Sequence, residues 1–97
     1  MKIAIVYLTR RSRGGVARRE ESLEAPQAHI GRDAAAEVFL ADPRILLQHA
    51  LIEPAPDGSF IVRAIGNADL RIDGQLATSA RLAPGSSFAL GPYRLQI

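Results

Sequence analysis

Short runs of alternating apolar and polar residues, separated by turn-forming residues, extend along the whole chain. Two such runs, 2–8 and 15–23, flank a tip rich in arginine and glycine, and this pattern predicts a β-hairpin. Many short strands at near-regular spacing, without helical periodicity, are typical of a β-sandwich or a barrel. The other predicted strands are 28–31, 37–40, 47–53, 59–65, 70–72, 75–77, 86–90 and 93–97.

Turn-forming dipeptides separate several of these runs. Asp57-Gly58 and Asp73-Gly74 offer the positive φ values that tight hairpin turns require, and Gly91-Pro92 joins the last two predicted strands. The segment 32–39 has high helix propensity, with Asp33 as a candidate cap, but it is too short for a stable helix. We therefore predict a loop there with at most one helical turn.

The length and composition limit the function classes. A chain of 97 residues holds one domain, and its lack of cysteine excludes disulfides and thiolate metal sites. No apolar run approaches the ~20 residues of a membrane span, and the first strand lacks a signal-peptide cleavage pattern. We expect a cytoplasmic domain, although a longer protein containing it could be membrane-anchored. Eleven of the 12 basic residues are arginine, which hints weakly at a bacterial source.

The positive charge lies mainly in the first predicted hairpin. By the sequence, residues 1–24 carry six basic and three acidic residues, whereas the remainder carries six basic and seven acidic residues. Ion pairing across the hairpin with its glutamates is the favoured interpretation, ahead of an acidic protein partner. Nucleic acid or membrane contact is not favoured, since Tyr7 is the only aromatic residue nearby. The basic arm consists of Arg10, Arg11, Arg13, Arg18 and Arg19.

Residues suited to catalysis or metal binding do not form a recognisable pattern. The glycine-rich segments lack a P-loop lysine, and no nucleophile elbow is present. His29 and His49 lie twenty residues apart without a carboxylate pattern, so a zinc site is not indicated. We predict no enzyme activity, no metal and no cofactor.

Several motifs in order resemble the forkhead-associated (FHA) domain family over roughly residues 28–97. "HIGRD" is similar to the family's Gly-Arg motif, and the following stretch with its Asp-Pro and His49 is similar to the segment that ends in Ser-x-x-His. "IDGQLA" resembles the family's Asn-Gly hairpin. The closing strands match at Leu82, Gly85, Phe88, Leu90, Gly91 and Leu95. The resemblance implies an all-β fold, an FHA-like β-sandwich of two mainly antiparallel sheets.

FHA domains recognise phosphothreonine peptides through loops at one end of the sandwich. The resemblance implies that Arg32 occupies the phosphate-binding arginine position and that Gly31 and His49 support the loop architecture. Leu46 stands where the family has its phosphate-binding serine, and Leu47 stands where a basic residue usually follows. A hydrogen bond to a charged group contributes ~1.5–3 kcal/mol, so these replacements should weaken phosphate binding strongly.

Alternatives stay open for each of these residues. Arg32 binds an anion with help from Arg44, or it pairs with Asp33, Asp42 or Glu37 and braces the loops. Asn67 is a candidate peptide-backbone ligand, but it precedes Ala68 rather than glycine and lies one residue too far from the Asp73-Gly74 hairpin. An ordinary turn residue is the other interpretation of Asn67.

Leu46 and Leu47 have two interpretations of equal weight. Strand alternation would direct one leucine into the core and the other outward. Alternatively, an exposed leucine forms part of an apolar patch for a partner protein.

We therefore predict one FHA-like domain, with residues 1–27 forming the basic N-terminal strand pair and 28–97 carrying the FHA motifs, at the start of a longer protein. Its predicted role is that of a signalling module which contacts a partner protein or a neighbouring domain of the same chain without phosphate. The first alternative is retained phosphothreonine-peptide recognition through Arg32, Arg44 and Asn67. The second is a structural or oligomerising domain whose edge strands pair between copies.

Overall fold

The computed structural model describes residues 2–10 and 13–97. Its regular elements over these residues are all β-strands, and their bounds are β1 Lys2–Arg10, β2 Val16–Glu24, β3 Ala28–Gly31, β4 Val38–Phe39, β5 Ala50–Pro54, β6 Phe60–Ala64, β7 Arg71–Ile72, β8 Gln75–Leu76, β9 Ser79–Leu82, β10 Ser87–Leu90 and β11 Tyr93–Gln96. Arg11 of the basic arm lies outside the described residues.

The strands form two sheets that pack face to face as a β-sandwich. One has the strand order β2-β1-β11-β10-β7-β8, and the other has the order β4-β3-β5-β6-β9. All strand pairs are antiparallel except β3 with β4, which is parallel. The all-β sandwich fold predicted from the sequence is confirmed.

The core follows from alternation along the strands. Inward positions in both sheets carry branched aliphatic side chains that are almost fully buried, such as Ile5, Ile30, Ile52, Val62 and Leu95. Burial of such side chains contributes about 1.5–3 kcal/mol each, which stabilises the sandwich without disulfides. The tip of the first hairpin extends beyond this core, since β1 pairs with β11 only over Val6–Leu8.

The predicted turns differ in type. Both Asp73 (φ 52°) and Gly74 (φ 81°) have positive φ and form the tight two-residue turn between β7 and β8. At Asp57-Gly58 only Gly58 has positive φ, and the Ala55 amide donates to the Ser59 carbonyl, which makes a longer hairpin loop. The strand β9 was not predicted, because its sequence Ser-Ala-Arg-Leu carries little apolar alternation.

The segment with helical propensity forms a loop, as predicted. The Asp33 carboxylate accepts a hydrogen bond from the Ala35 amide, and the Ala36 amide donates to the Asp33 carbonyl. These bonds close a single turn that leads into β4 and the loop before β5. No helix of the described part of the chain is long and apolar enough to cross a membrane.

Candidate functional site

The predicted strand over 47–53 begins only at Ala50, so Leu46 and Leu47 lie in the loop between β4 and β5. The loop starts with a turn in which the Ile45 amide donates to the Asp42 carbonyl. Ile45 is fully buried and anchors the loop in the core. Strand alternation therefore does not apply to the two leucines, and the interpretation that one of them is a core residue is wrong.

Leu46 and Leu47 are exposed because their peptide groups are held against the end of β3. The Leu46 carbonyl accepts from the Arg32 amide at 2.9 Å, and the Leu47 carbonyl accepts from the Asp33 amide at 3.3 Å. With the backbone turned toward Arg32 and Asp33, the side chains project into solvent, where 48% of Leu46 and 56% of Leu47 is accessible. Exposed apolar groups thus stand at the two positions where the family resemblance leads us to expect a phosphate donor and its companion charge.

Gly31 permits this close approach of the two loops. A Cβ atom placed at Gly31 would lie 2.0 Å from the Leu47 carbonyl oxygen and 2.8 Å from its carbon. Real Cβ atoms do not come so close to backbone, so only glycine fits between β3 and the loop. This close contact explains why the Gly-Arg motif has glycine at position 31.

His49 braces the loop from behind, as a buried structural histidine. Its Nδ1 accepts from the Leu46 amide at 3.1 Å, and its Nε2 donates to the Asp69 carbonyl at 2.7 Å. The two partners assign the tautomer, since an amide can only donate and a carbonyl can only accept. His49 is 1% exposed and thereby ties the β4–β5 loop to the β6–β7 loop.

Asp69, which the sequence did not single out, extends this brace to the turn between β10 and β11. Its carboxylate accepts from the Gly91 amide at 3.0 Å, while Arg71 donates to the Gly91 carbonyl at 2.7 Å. Nothing in the sequence distinguishes Asp69 from the other turn aspartates, since its main role depends on the position of its backbone carbonyl. The loops at this end are joined into one network.

Arg32 is exposed, and its Nε donates to the Ile45 carbonyl at 3.0 Å. It therefore braces the loops through a backbone carbonyl. Within the ranges 2–10 and 13–97, no ion pair joins it to Asp33, Asp42 or Glu37. The sequence allows the interpretation that Arg32 braces the loops by pairing with a carboxylate. Arg32 does brace the loops, but its partner is a backbone carbonyl and not a carboxylate.

Arg44 forms a forked ion pair with Asp42. Its Nε and Nη2 donate to the two carboxylate oxygens of Asp42, each at 2.9 Å. Hydrogen bonds from the Arg44 side chain, and then from its amide, lower the pKa of Asp42 to about 2. The fork that would bind a phosphate is occupied by a carboxylate that remains ionised at neutral pH.

Asn67 lies in the exposed turn between β6 and β7, which the Ala68 amide closes by donating to the Ile65 carbonyl. Asn67 lines an open hollow of about 570 Å³ together with Leu76, which is 79% exposed. On the other side of the same loop, Ile65 and Leu47 line a hollow of about 210 Å³. Apolar side chains thus flank the β6–β7 loop on both sides.

Asp73 and Gly74 contribute to a different place. They line a hollow of about 320 Å³ with Arg71 and Arg94, and this hollow shares no lining residue with those at Leu47 and Asn67. Their role is to form the β7–β8 turn. We name the apolar surface formed by the exposed Leu46, Leu47 and Leu76 and the half-buried Ile65 the end-loop surface.

The basic arm is partly neutralised within β2. Arg18 lies 3.6 Å from Glu20, and Arg19 lies 3.9 Å from Glu21, so both pairs run along the strand. For Arg18 and Arg19, the predicted ion pairing across the hairpin is therefore wrong, since their glutamate partners lie on the same strand. Arg19 also stacks over the ring of Tyr7, 4.3 Å from its centroid. Burial, followed by a hydrogen bond to Glu21, raises the pKa of Tyr7 to about 12. The side chain of Arg10 lies outside the description, and Arg13 is exposed at the hairpin tip.

The described residues contain no group of three or more His, Asp or Glu side chains placed to hold a metal ion. His29 is exposed and contacts Glu37 through Nδ1 at 3.1 Å. This hydrogen bond lowers the pKa of Glu37.

A match to a protein family shows which class of domain this chain forms. The family model described as "FHA domain" matches residues 28–91, about two thirds of the chain. The chain therefore belongs to the FHA domain family. Its members are interaction modules, not enzymes, and many of them bind phosphopeptides. A comparison with curated proteins found no match.

Solved structures of the same fold include domains with defined partners. The FHA domain of CT664 from Chlamydia trachomatis is 21% identical, with a TM-score of 0.71 and coverage of 97% of this chain and 95% of that one. Mycobacterium tuberculosis EmbR in complex with a low affinity phosphopeptide is 18% identical, with a TM-score of 0.70 and coverage of 96% and 24%. The FhaA FHA domain complexed with the intracellular domain of Rv3910 is 20% identical, with a TM-score of 0.69 and coverage of 94% and 97%. At these identities the likeness extends to the fold alone.

Proposed function

We propose that this FHA domain binds a partner protein, or a neighbouring domain of the same chain, through the end-loop surface and without phosphate. The observation that carries the proposal is the exposure of Leu46 and Leu47, by 48% and 56%, at the end of the sandwich where the family resemblance places phosphate binding. Exposure of two adjacent leucine side chains to water is unfavourable in free energy. Contact with a partner protein would remove this apolar surface from water and so stabilise the complex.

The state of the arginines supports the same function. Arg32 donates its Nε to the loop backbone, and the fork of Arg44 is filled by Asp42. A phosphate would have to displace the Asp42 carboxylate before it gained the Arg44 fork, and it would find leucine instead of a hydroxyl donor at position 46. Each of these features reduces the affinity that a peptide would gain from being phosphorylated.

Retained phosphothreonine recognition through Arg32, Arg44 and Asn67 is the second candidate. The exposure of Arg32 and Asn67 favours it, because both side chains are accessible to a bound peptide. Mycobacterium tuberculosis EmbR, part of which shares this fold, forms a complex with a low affinity phosphopeptide, which supports this candidate. The two candidates differ in whether phosphate changes affinity.

The leucines can be tested with unphosphorylated peptides selected on the domain from a displayed library. We expect the double change Leu46→Ser and Leu47→Ser to weaken binding of these peptides about tenfold or more, because apolar contact area is lost. The matched control is Phe39→Ser, since Phe39 is 45% exposed but lines a separate groove beside β2. Equal effects of the leucine and phenylalanine changes, or none from the leucines, would contradict the proposal.

A further inference from the structure

Strand β2 forms an open edge of the larger sheet. Within the ranges that the structure describes, β1 is its single neighbour. Arg18, Arg19, Glu20 and Glu21 in its middle are all exposed, and the groove beside them is open. An edge strand presents unpaired N–H and C=O groups that can hydrogen-bond to a strand of another chain. The nine residues of β2 make this a long edge.

The order of charges along this edge is self-complementary when two copies run antiparallel. A two-fold axis relating two edge strands stands perpendicular to the sheet, so each residue keeps its face and one residue pairs with its own copy on the axis. With Arg19 on the axis, Arg18 of each copy lies opposite Glu20 of the other. Directly opposed side chains of opposite charge stabilise a strand pair.

The residue on the axis would oppose its own copy with like charge. Arg19, however, is held over the ring of Tyr7 in its own chain, 4.3 Å from the centroid, which draws its guanidinium away from the edge. Glu21 of the second copy is a diagonal neighbour of Arg19 in this register, so each Arg19 also meets a carboxylate. Four attractive contacts therefore accompany three like-charged pairs, the Arg19 pair on the axis and the diagonal pairs of Arg18 and of Glu20 with their own copies. The directly opposed Arg18 and Glu20 lie closer together than the diagonal neighbours, so attraction dominates this register.

Charged edges often protect sheets from association, but that protection depends on the arrangement of the charges. An edge of one sign repels a second copy. The edge of β2 carries two arginines followed by two glutamates, so antiparallel pairing converts the same charges into attraction. The charge order thus favours a second copy of this chain as the occupant of the edge.

We propose that β2 pairs antiparallel with β2 of a second copy, centred on Arg19, to give a symmetric dimer with one continuous sheet. The dimer is independent of the proposed function, because it uses the side of the sandwich. It would direct the end-loop surfaces of the two copies to opposite ends of the joined sheet. Each surface would remain accessible to a partner.

Sedimentation velocity of the chain over micromolar to millimolar concentrations tests the dimer. We expect the average mass to rise with concentration from 10.4 kDa toward twice that value. Arg18→Glu places two carboxylates opposite each other at both symmetric positions, and Glu20→Arg places two guanidiniums there. We expect each variant to dissociate about tenfold or more readily than the unaltered chain.

An equal mixture of the two variants provides the decisive control. In the mixed dimer, the glutamate introduced at position 18 faces the arginine introduced at position 20, and Glu20 of the first variant faces Arg18 of the second. We expect the mixture to associate at least as readily as the unaltered chain, because every pair between positions 18 and 20 is then of opposite charge. Both positions are exposed and paired with each other at 3.6 Å, so the variants should fold normally, which circular dichroism checks. A monomer at every concentration, association of either variant alone at the original strength, or a mixture that stays monomeric would each overturn the proposal.

Discussion

Replacing Gly31 by alanine is expected to destabilise the domain by on the order of 3 kcal/mol or more. The added methyl group would lie 2.0 Å from the Leu47 carbonyl oxygen, and the obstacle is backbone that cannot rotate away as a side chain can. The loop would have to leave β3, which breaks the hydrogen bonds from Arg32 and Asp33 to its carbonyls. Urea unfolding of both proteins measures the difference.

Gly58→Ala is the matched control for this change. Gly58 has a φ of +86°, but no atom lies within 4 Å of an added Cβ. Its replacement therefore costs only the strain of a left-handed residue, about 1–2 kcal/mol. If Gly31→Ala proved no more destabilising than Gly58→Ala, the close packing of the β4–β5 loop on β3 would be incorrect.

Replacing His49 by alanine is the second change with a large expected effect, a loss of about 3 kcal/mol of stability. It removes a buried ring and leaves the Leu46 amide and the Asp69 carbonyl without their partners. Thermal or urea unfolding measures the loss. Amide hydrogen exchange at Leu46 should also accelerate, because the histidine no longer accepts its hydrogen bond.

His29→Ala provides the comparison for His49. His29 is exposed and its ring makes one hydrogen bond, to the Glu37 carboxylate, so its removal should change stability by less than about 1 kcal/mol. Similar small effects of the two histidine changes would show that His49 does not hold the loops together.

The fold could be predicted from the sequence because its signals are local. Alternating runs and the Asp73-Gly74 turn predict short antiparallel strands, and the ordered FHA motifs specify the sandwich. Strand β9 was missed because Ser79–Leu82 has one strongly apolar residue, so its pairing with β6 depends on the tertiary structure.

The site was predictable only in part. The family motif predicts that Gly31 and His49 support the loop, and the contacts of both residues with the loop backbone fit this prediction, since both roles depend on residue type at a defined position. The sequence left the exposure of Leu46 and Leu47 undecided, because hydrogen bonds from Arg32 and Asp33, and not strand alternation, determine it. The closure of the Arg44 fork by Asp42 likewise depends on the turn that Pro43 helps to form, not on a motif.

Binding by this FHA domain is proposed to be independent of phosphate. The most direct measurement titrates the domain with a phosphothreonine peptide library and, in parallel, with the same peptides unphosphorylated. We expect phosphorylation to leave affinity unchanged, and Arg32→Ala to have no phosphate-specific effect. Binding that requires the phosphate and disappears in Arg32→Ala would contradict phosphate-independent binding and show that Arg32 holds the phosphate without the serine.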